Sequence, residues 1–593
     1  MKILKITGLL LFVAGFFVFN ASFFWADYRL TENAVKKSIH DEQKQALFLT
    51  EASAILDRPV SSNFEFIHYV SEIFETINEK QLTKYAITED ELDRLAKLSE
   101  ATFSIANVDS VFRTSNETSS FKNKVFKDFG GSLESRTFSS PEELHTELKN
   151  VSAKVRDYAI INRAGFDRYA QKDIKYSLAK ASAESPVRNN PLLYLLLTFG
   201  LCIIGAALYI LPKIKESKGI KNNNIFFHPM KNVGWLGILT GTWLIVFYVI
   251  LYFFPEYMTN WIIMVDPISE MLNGHEAGRF FLYGFIYTLC ILVMGVRMII
   301  HYRHSKYQIF RTLSVMFFQT AFAFLIPEFL IRLNKPYFDF KNIWPLDYSF
   351  FFDFRLDQLR ESGALGIFML GWGIALIIIA VPVFVYFFGK RWYCSWVCGC
   401  GGLAETLGDP YRQLSDKSLK AWKIERWMVH GVLAFAIVMT AAVLYTYWTK
   451  SSWFLIVDSY SLREVYGSFI GAAFAGVIGT GFYPLMGNRV WCRFGCPLAA
   501  YLGLIQRFKS RFRITTNGGQ CISCGNCSTY CEMGIDVRWY AQRGQNIVRS
   551  SCVGCGVCSA VCPRGVLNLE VKDEEGRFGK PILIGNNNAK LDV

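Results

Sequence analysis

Thirteen of the chain's fifteen cysteines fall after residue 390, and their spacing is that of metal ligands. Cys521, Cys524, Cys527 and Cys531 follow C-x2-C-x2-C-x3-C; Cys552, Cys555, Cys558 and Cys562 repeat it, with Pro563 completing the second run. Three thiolates at two-residue intervals wrap three corners of a four-iron, four-sulfide cubane, while the fourth cysteine of such a run reaches across to the other cluster. The expected ligand sets are therefore Cys521, Cys524, Cys527 with Cys562, and Cys552, Cys555, Cys558 with Cys531. Structural zinc is the competing chemistry, but four-cysteine zinc sites pair two CxxC elements across a longer loop.

Gly525 matches Gly556, Ser528 matches Ser559 and Gly534 matches Gly565, so the two runs form an internal repeat with pseudo-twofold symmetry. Glu532 breaks the repeat by standing where the second run has proline, placing a negative charge near a cluster without removing a ligand. Another duplication precedes it. Cys394 with Cys398, and Cys492 with Cys496, each show C-x3-C, and Gly389-Lys390-Arg391-Trp392-Tyr393-Cys394 parallels Gly487-Asn488-Arg489-Val490-Trp491-Cys492. An x3 spacing on a helical turn sets two sulfurs on one face, which suits a shared metal site or a redox dithiol. Packing of small buried cysteines is the bland alternative. Cys400 is a weaker candidate ligand, and Cys202 and Cys290, alone in apolar runs, read as packing residues.

The elements that must position these thiols are membrane helices. The chain is 52% hydrophobic with a mean hydropathy of +0.22, and its apolar residues gather into blocks of about 20, the length that spans a hydrocarbon core. Eight such blocks lie near residues 6–25, 191–212, 233–255, 279–300, 309–331, 364–388, 428–448 and 467–486. The net charge of +13 follows the rule that Lys and Arg near span ends mark the cytoplasmic side, and needs no nucleic-acid partner. Lys213, Lys215, Lys218, Lys221 and Lys231 against Glu216, then Arg303, Lys306 and Arg311, mark cytoplasmic loops; Glu256, Asp266, Glu270 and Glu276 mark an outer one. Eight crossings put both termini and every cysteine after residue 390 in the reducing cytoplasm, where metal ligation outranks disulfides.

This organisation predicts an N-terminal membrane anchor over residues 1–26, retained because Phe24-Trp25-Ala26 is a poor cleavage site. Residues 27–190 form an extracytoplasmic, mostly helical domain without cysteine. Residues 191–500 form a seven-span membrane domain with both C-x3-C motifs at cytoplasmic helix ends, and residues 501–593 a cytoplasmic ferredoxin-like domain with its tail. The fold class is mainly α, a polytopic bundle of about eight spans, with a small α+β two-cluster domain at the C-terminus. In the 27–190 insert, Thr88 with Glu91 and Ser140 with Glu143 read as capping boxes. His40, His68 and His145 are scattered, and no haem-attachment or phosphate-loop motif is present.

Tyr393-Cys394-Ser395-Trp396-Val397-Cys398, Trp491-Cys492-Arg493-Phe494-Gly495-Cys496-Pro497 and the two cluster runs together resemble the NosR/NapH-type membrane polyferredoxins over roughly residues 365–570. The resemblance implies two [4Fe-4S] clusters in a multi-pass protein of the bacterial cytoplasmic membrane. It also implies electron relay between cytoplasmic clusters and the quinone pool or an extracytoplasmic reductase, with quinone and protein redox partners and an uncertain enzyme activity such as quinol dehydrogenase. The large insert is similar to the NosR layout, but the threonine-centred flavin motif is not visible, so FMN is not expected. Haem is not expected either, because His275, His301 and His304 lie in loops. Glu328 and His430 sit near membrane faces and read as structural. Related copper-oxidase assembly ferredoxins typically add an immunoglobulin-like domain, which does not follow Cys562 here. A redox-sensing regulator and a maturation factor for a respiratory metalloenzyme are the alternative readings.

Overall fold

The structure, a computed structural model, describes residues 1–571 apart from 26, 100–102, 113–116, 135, 137, 139, 163–164, 216–233, 452 and 455–456. Glu216, Lys218, Lys221 and Lys231, used above to orient the second loop, lie outside the described residues, as does the tail after 571.

Among the described residues, seven helices are long and apolar enough to cross a membrane: Lys2–Ser22, Pro191–Lys215, Trp235–Phe253, Arg279–His301, Lys306–Arg332, Gly363–Phe388 and Leu419–Thr449. The first two cross at glycines. A methyl on Gly8 would meet the Gly205 carbonyl at 2.6 Å, and one on Gly205 would meet Gly8 at 2.5 Å. Small residues allow such close backbone approach where lipid supplies no hydrophobic drive. The second, fifth and sixth helices each contain a π segment, at Leu196–Gly200, Phe318–Leu325 and Leu376–Ala380.

The eighth expected block differs from the other seven. Residues 459–481 are helical throughout, as Ser459–Val465, a π segment Tyr466–Ile478 and Gly479–Gly481, but this stretch is not among the long apolar helices. Its glycines explain the weak apolar signal. Gly471 lies against Tyr348, Gly476 against Tyr252 and Gly481 against Ile245, where an added methyl would come within 2.8, 2.5 and 2.6 Å respectively.

The chain divides into two compact units. One comprises Phe19–Pro191 and Pro255–Met264. It is helical, with a minimal antiparallel pair, Tyr28–Arg29 on Pro59–Val60, and long helices Asn63–Tyr85 and Pro141–Asn162. The Thr88–Glu91 capping box forms in full at the expected place, and Ser140 caps its helix as expected. Thr88 N–H donates to Glu91 at 2.8 Å and Glu91 N–H to Thr88 Oγ1 at 3.3 Å, and Glu143 N–H reaches Ser140 Oγ at 3.2 Å. His145 contacts Asp93 at 3.1 Å, an ordinary surface pairing. The sequence did not reveal that Pro255–Met264, between the third and fourth spans, belongs to this unit. There Asn260 donates to the carbonyls of Ser22 and Trp25, at 2.8 and 2.9 Å.

The other unit holds Met1–Val18, Leu192–Phe254 and everything from Val265 on. The ferredoxin-like region is therefore part of the same compact body as the spans. It is built on one antiparallel pair, Phe512–Thr516 with Leu567–Val571, around short helices Asn526–Thr529, Val537–Gln542 and Val557–Ala560.

Candidate iron–sulfur centres

Each cluster run wraps into a short helix through a left-handed glycine, Gly525 at φ 79° and Gly556 at φ 73°, where a side chain would be strained. The repeat extends to hydrogen bonds. Ile535 N–H donates to Cys531 Sγ, and Val566 N–H to Cys562 Sγ, both at 3.4 Å. Such amide-to-sulfur bonds favour the anionic sulfur and raise a bound cluster's potential.

Cys521, Cys524, Cys527 and Cys562 line one small cavity, together with Pro563, Arg538 and Arg564. Cys524 is exposed, so this set reaches the surface. The other set lies deeper: Cys552 and Cys558 are buried, and the Cys558 thiol is driven up by burial and by Cys555, Cys531 and Cys552 around it. Burial likewise pushes Cys552 to about 11 and Cys555 to about 12. Thiols held neutral in this way ionise only against a compensating positive charge, which iron supplies. The donor chemistry therefore fits a four-iron cluster in each set.

The two C-x3-C pairs converge. Cys394, Cys398, Cys492 and Cys496 are buried and line one small cavity with Tyr393, Trp491 and Cys400. Their backbones repeat: Gly389 and Gly487 take φ 65° and 90°, and Cys398 N–H donates to Tyr393 as Cys496 N–H does to Trp491, at 2.8 and 2.9 Å. The pairing does not use one helical face, as the x3 spacing suggested. Helix Arg391–Cys394 ends at its cysteine, and Cys398 caps the next helix, Gly399–Thr406. Cys496 likewise caps Pro497–Lys509, its Sγ accepting from Ala499 N–H at 3.4 Å. One wide turn closed by an i→i−5 bond brings each pair together, and around Cys492 it is a π segment, Trp491–Gly495. Burial pushes Cys394 up to about 12 and raises Cys492 and Cys496, while a hydrogen bond from Cys400 holds Cys398 below the ordinary thiol range. Cys202 and Cys290 lie elsewhere, half-buried.

The loop of the second cluster run is fastened to residues beside the C-x3-C quartet. Ser395 donates to Val553 O at 2.7 Å, Gln506 to Cys552 O at 2.9 Å, Tyr307 to Gly554 O at 2.8 Å and Gln308 to Cys555 O at 2.8 Å. An ion network underlies these bonds. Glu532, fully buried, takes Arg412 at 2.6 Å and Arg489 at 3.1 Å, with Asn488 Nδ2 at 3.2 Å. Burial pushes its carboxyl up, but Arg412, Arg489 and Arg311 outweigh that and hold it below the usual carboxylate range. Arg489 also pairs with Glu405 and donates to Cys394 O at 3.3 Å and Cys492 Sγ at 3.6 Å. Arg311 is not a loop charge, as the topology argument assumed; it is 1% exposed and pairs with Glu405. Glu405, Glu532 and Cys555 bring ligand atoms within 4.8 Å of one another, but both carboxylates are already neutralised by these arginines.

Of this network, the sequence signalled only Glu532, as a break in a repeat, and Arg489, inside a repeated flank. Glu328 and His430 have structural partners, Asn273 Nδ2 at 2.6 Å and Arg426 O at 2.7 Å.

Comparison with known proteins matches the same two stretches of chain. Residues 371–419 and 469–515, which include both C-x3-C pairs, match a family described as a 4Fe-4S binding domain. Residues 520–567 match a 4Fe-4S dicluster domain. The chain is 28% identical over 174 residues, 28% of its length, to YccM of Escherichia coli (strain K12), named as an electron transport protein, of which 47% is covered. It is 25% and 27% identical over 154 and 172 residues to the methylamine utilization ferredoxin-type proteins MauN of Methylobacillus flagellatus and Paracoccus denitrificans. These matches cover 26% and 27% of this chain and 52% and 56% of the MauN chains. The chain thus spans about half the length of the curated relatives it matches. These matches support a membrane polyferredoxin; they do not reach the narrower NosR/NapH assignment. No solved structure matches.

Proposed function

We propose that this iron–sulfur electron-transfer protein, with membrane helices and 4Fe-4S ferredoxin-type domains, relays electrons along three centres arranged from the surface inward. The outermost is held by Cys521, Cys524, Cys527 and Cys562, the next by Cys552, Cys555, Cys558 and Cys531, and the innermost by Cys394, Cys398, Cys492 and Cys496. Bound clusters would supply one-electron redox chemistry at these positions. The observation that carries this reading is the set of four hydrogen bonds fixing residues 552–555 beside the C-x3-C quartet.

In this reading the protein's own residues set distance and charge. Ser395, Gln506, Tyr307 and Gln308 hold the middle centre against the innermost one. Arg489 places a positive charge between Cys492 and Glu532, stabilising thiolate character at the inner site. The quinone pool or an extracytoplasmic reductase is the expected exchange partner beyond it. Convergence of both C-x3-C pairs supports eight crossings. Leu419–Thr449 carries the chain away from Cys398, and residues 459–481 must return it for Cys492 to meet Cys394. In this reading the ferredoxin-like region and both termini lie in the cytoplasm of a bacterial cell, and residues 27–190 outside it.

Iron counting tests the inner centre. The wild-type chain should hold about twelve iron atoms, and the Cys394→Ser/Cys492→Ser variant about eight, with the spectroscopic signals of the outer two clusters intact. About eight in both proteins would remove the third cluster and leave a dithiol. Mixing the lipid-reconstituted protein with quinols then tests the partner: optical bleaching of the clusters within turnover time is expected, and failure with every quinol tried sinks quinone exchange.

A further inference from the structure

The inner end of Leu419–Thr449 and the helix Pro497–Lys509 border a cavity of about 310 Å³, whose wall reaches Cys492 of the inner site. Its wall carries Lys390, Arg426, Arg493, Arg507 and Arg549 against one carboxylate, Glu425. That carboxylate is engaged, since Arg493 Nε donates to Glu425 Oε2 at 3.0 Å. Four further cations stand in the wall: Lys390 and Arg549 share Glu425 with Arg493, and Arg426 and Arg507 are exposed. Lys390 is 2% exposed, so this charge is built into the protein and is not a mobile surface lysine. Arg426 and Arg549 both lie over the Trp422 ring, 5.2 and 5.1 Å from its centroid, which fixes their guanidinium groups beside the cavity.

Five cations against one carboxylate give the cavity a positive field that draws an anion. The same two helices line the cavity with Val429, Ala499 and Ala500, an apolar side that suits the base of an acyl chain. A neutral quinone ring needs no such density of cations, and a soluble anion needs no apolar flank. We propose that this cavity binds the phosphate headgroup of an anionic membrane phospholipid, with the base of its acyl chains against Val429 and Ala500. Basic pockets between helix ends on the cytoplasmic side recognise such headgroups. The bound lipid would brace the junction between the seventh span and the ferredoxin-like region, since the wall also includes Met533, Tyr540 and Ser551.

The test uses the full-length, cluster-loaded protein and the Arg426→Gln/Arg507→Gln variant, whose changed side chains are exposed and outside the cysteine sites. Native mass spectrometry should show phosphatidylglycerol retained by the wild type in preference to phosphatidylcholine. Titration in nanodiscs should show the variant binding phosphatidylglycerol about tenfold or more weakly, with unchanged iron per chain. Equal retention of the two lipids, or equal binding by the variant, overturns the proposal. So does protection by inorganic phosphate alone, which would assign a soluble anion, and so does displacement of the lipid by a short-chain quinone, which would assign a redox ligand.

Discussion

Glu532 shows how much one residue's role can depend on distant parts of the chain. In the sequence it is an interruption, an acid where the duplicated run has Pro563. In the fold it is a buried carboxylate that joins the first cluster run to Arg412, 120 residues away, and to Arg489. Replacing it by glutamine leaves every cysteine in place but strands two guanidinium groups. The Glu532→Gln protein should keep its iron and lose about 3–5 kcal/mol of stability in denaturant unfolding, the usual cost of breaking a buried ion pair. It follows Cys531 in the chain and lies within 4.8 Å of the Cys555 sulfur, so removing the negative charge should raise the midpoint of the middle centre by on the order of 100 mV. An unchanged potential in an EPR-monitored titration would show that the arginines cancel the carboxylate's field. The ligand cysteines were legible from sequence because cubane ligation is a local spacing rule. Arg311, Arg412 and Glu405 were not, because nothing in a linear chain distinguishes a loop arginine from one folded 1% exposed onto a glutamate.

Among the elements, residues 459–481 are the one segment whose membrane role composition and geometry present differently. Apolar periodicity made the other seven spans plain, and local side-chain rules made the helix caps at Thr88 and Ser140 plain. Here the helix substitutes glycine for bulk so that Tyr348 and Tyr252 can lie against its backbone, and mean hydropathy falls although the surface it presents to its neighbours is closely packed. Its crossing can be read directly. A phosphatase reporter in the turn after Thr449 should be active outside the cytoplasm while a fluorescent reporter at the C-terminus lights up inside; same-side signals from both would mean that the segment does not cross. A bulky Gly476→Leu change should cost about 1–3 kcal/mol through overpacking against Tyr252, measurable as a lower thermal midpoint in detergent. The Pro255–Met264 segment was illegible for a different reason: its membership in the helical unit rests on Asn260 reaching backbone carbonyls more than 200 residues back, at Ser22 and Trp25.

At the scale of the molecule, the ferredoxin-like region and the spans form one compact unit, and the outermost cysteine, Cys524, is exposed beside Arg538 and Arg564. Exchange with an acidic redox protein should therefore slow as ionic strength rises past about 0.1 M, where screening shortens to about 10 Å. Stopped-flow rates with a small uncharged reductant should stay flat over the same range, and equal salt dependence for both would remove electrostatic docking at this face. The hydrogen bonds from Ser395, Gln506, Tyr307 and Gln308 carry a kinetic meaning of their own. A redox head on a tether can swing between donor and acceptor, turning over by its own diffusion at a rate set by linker length. One bolted to its neighbouring centre has no such stroke: every electron must be brought or collected by a visitor, so throughput becomes a matter of partner abundance and collision frequency, and the cell can throttle it simply by how much of that visitor it makes.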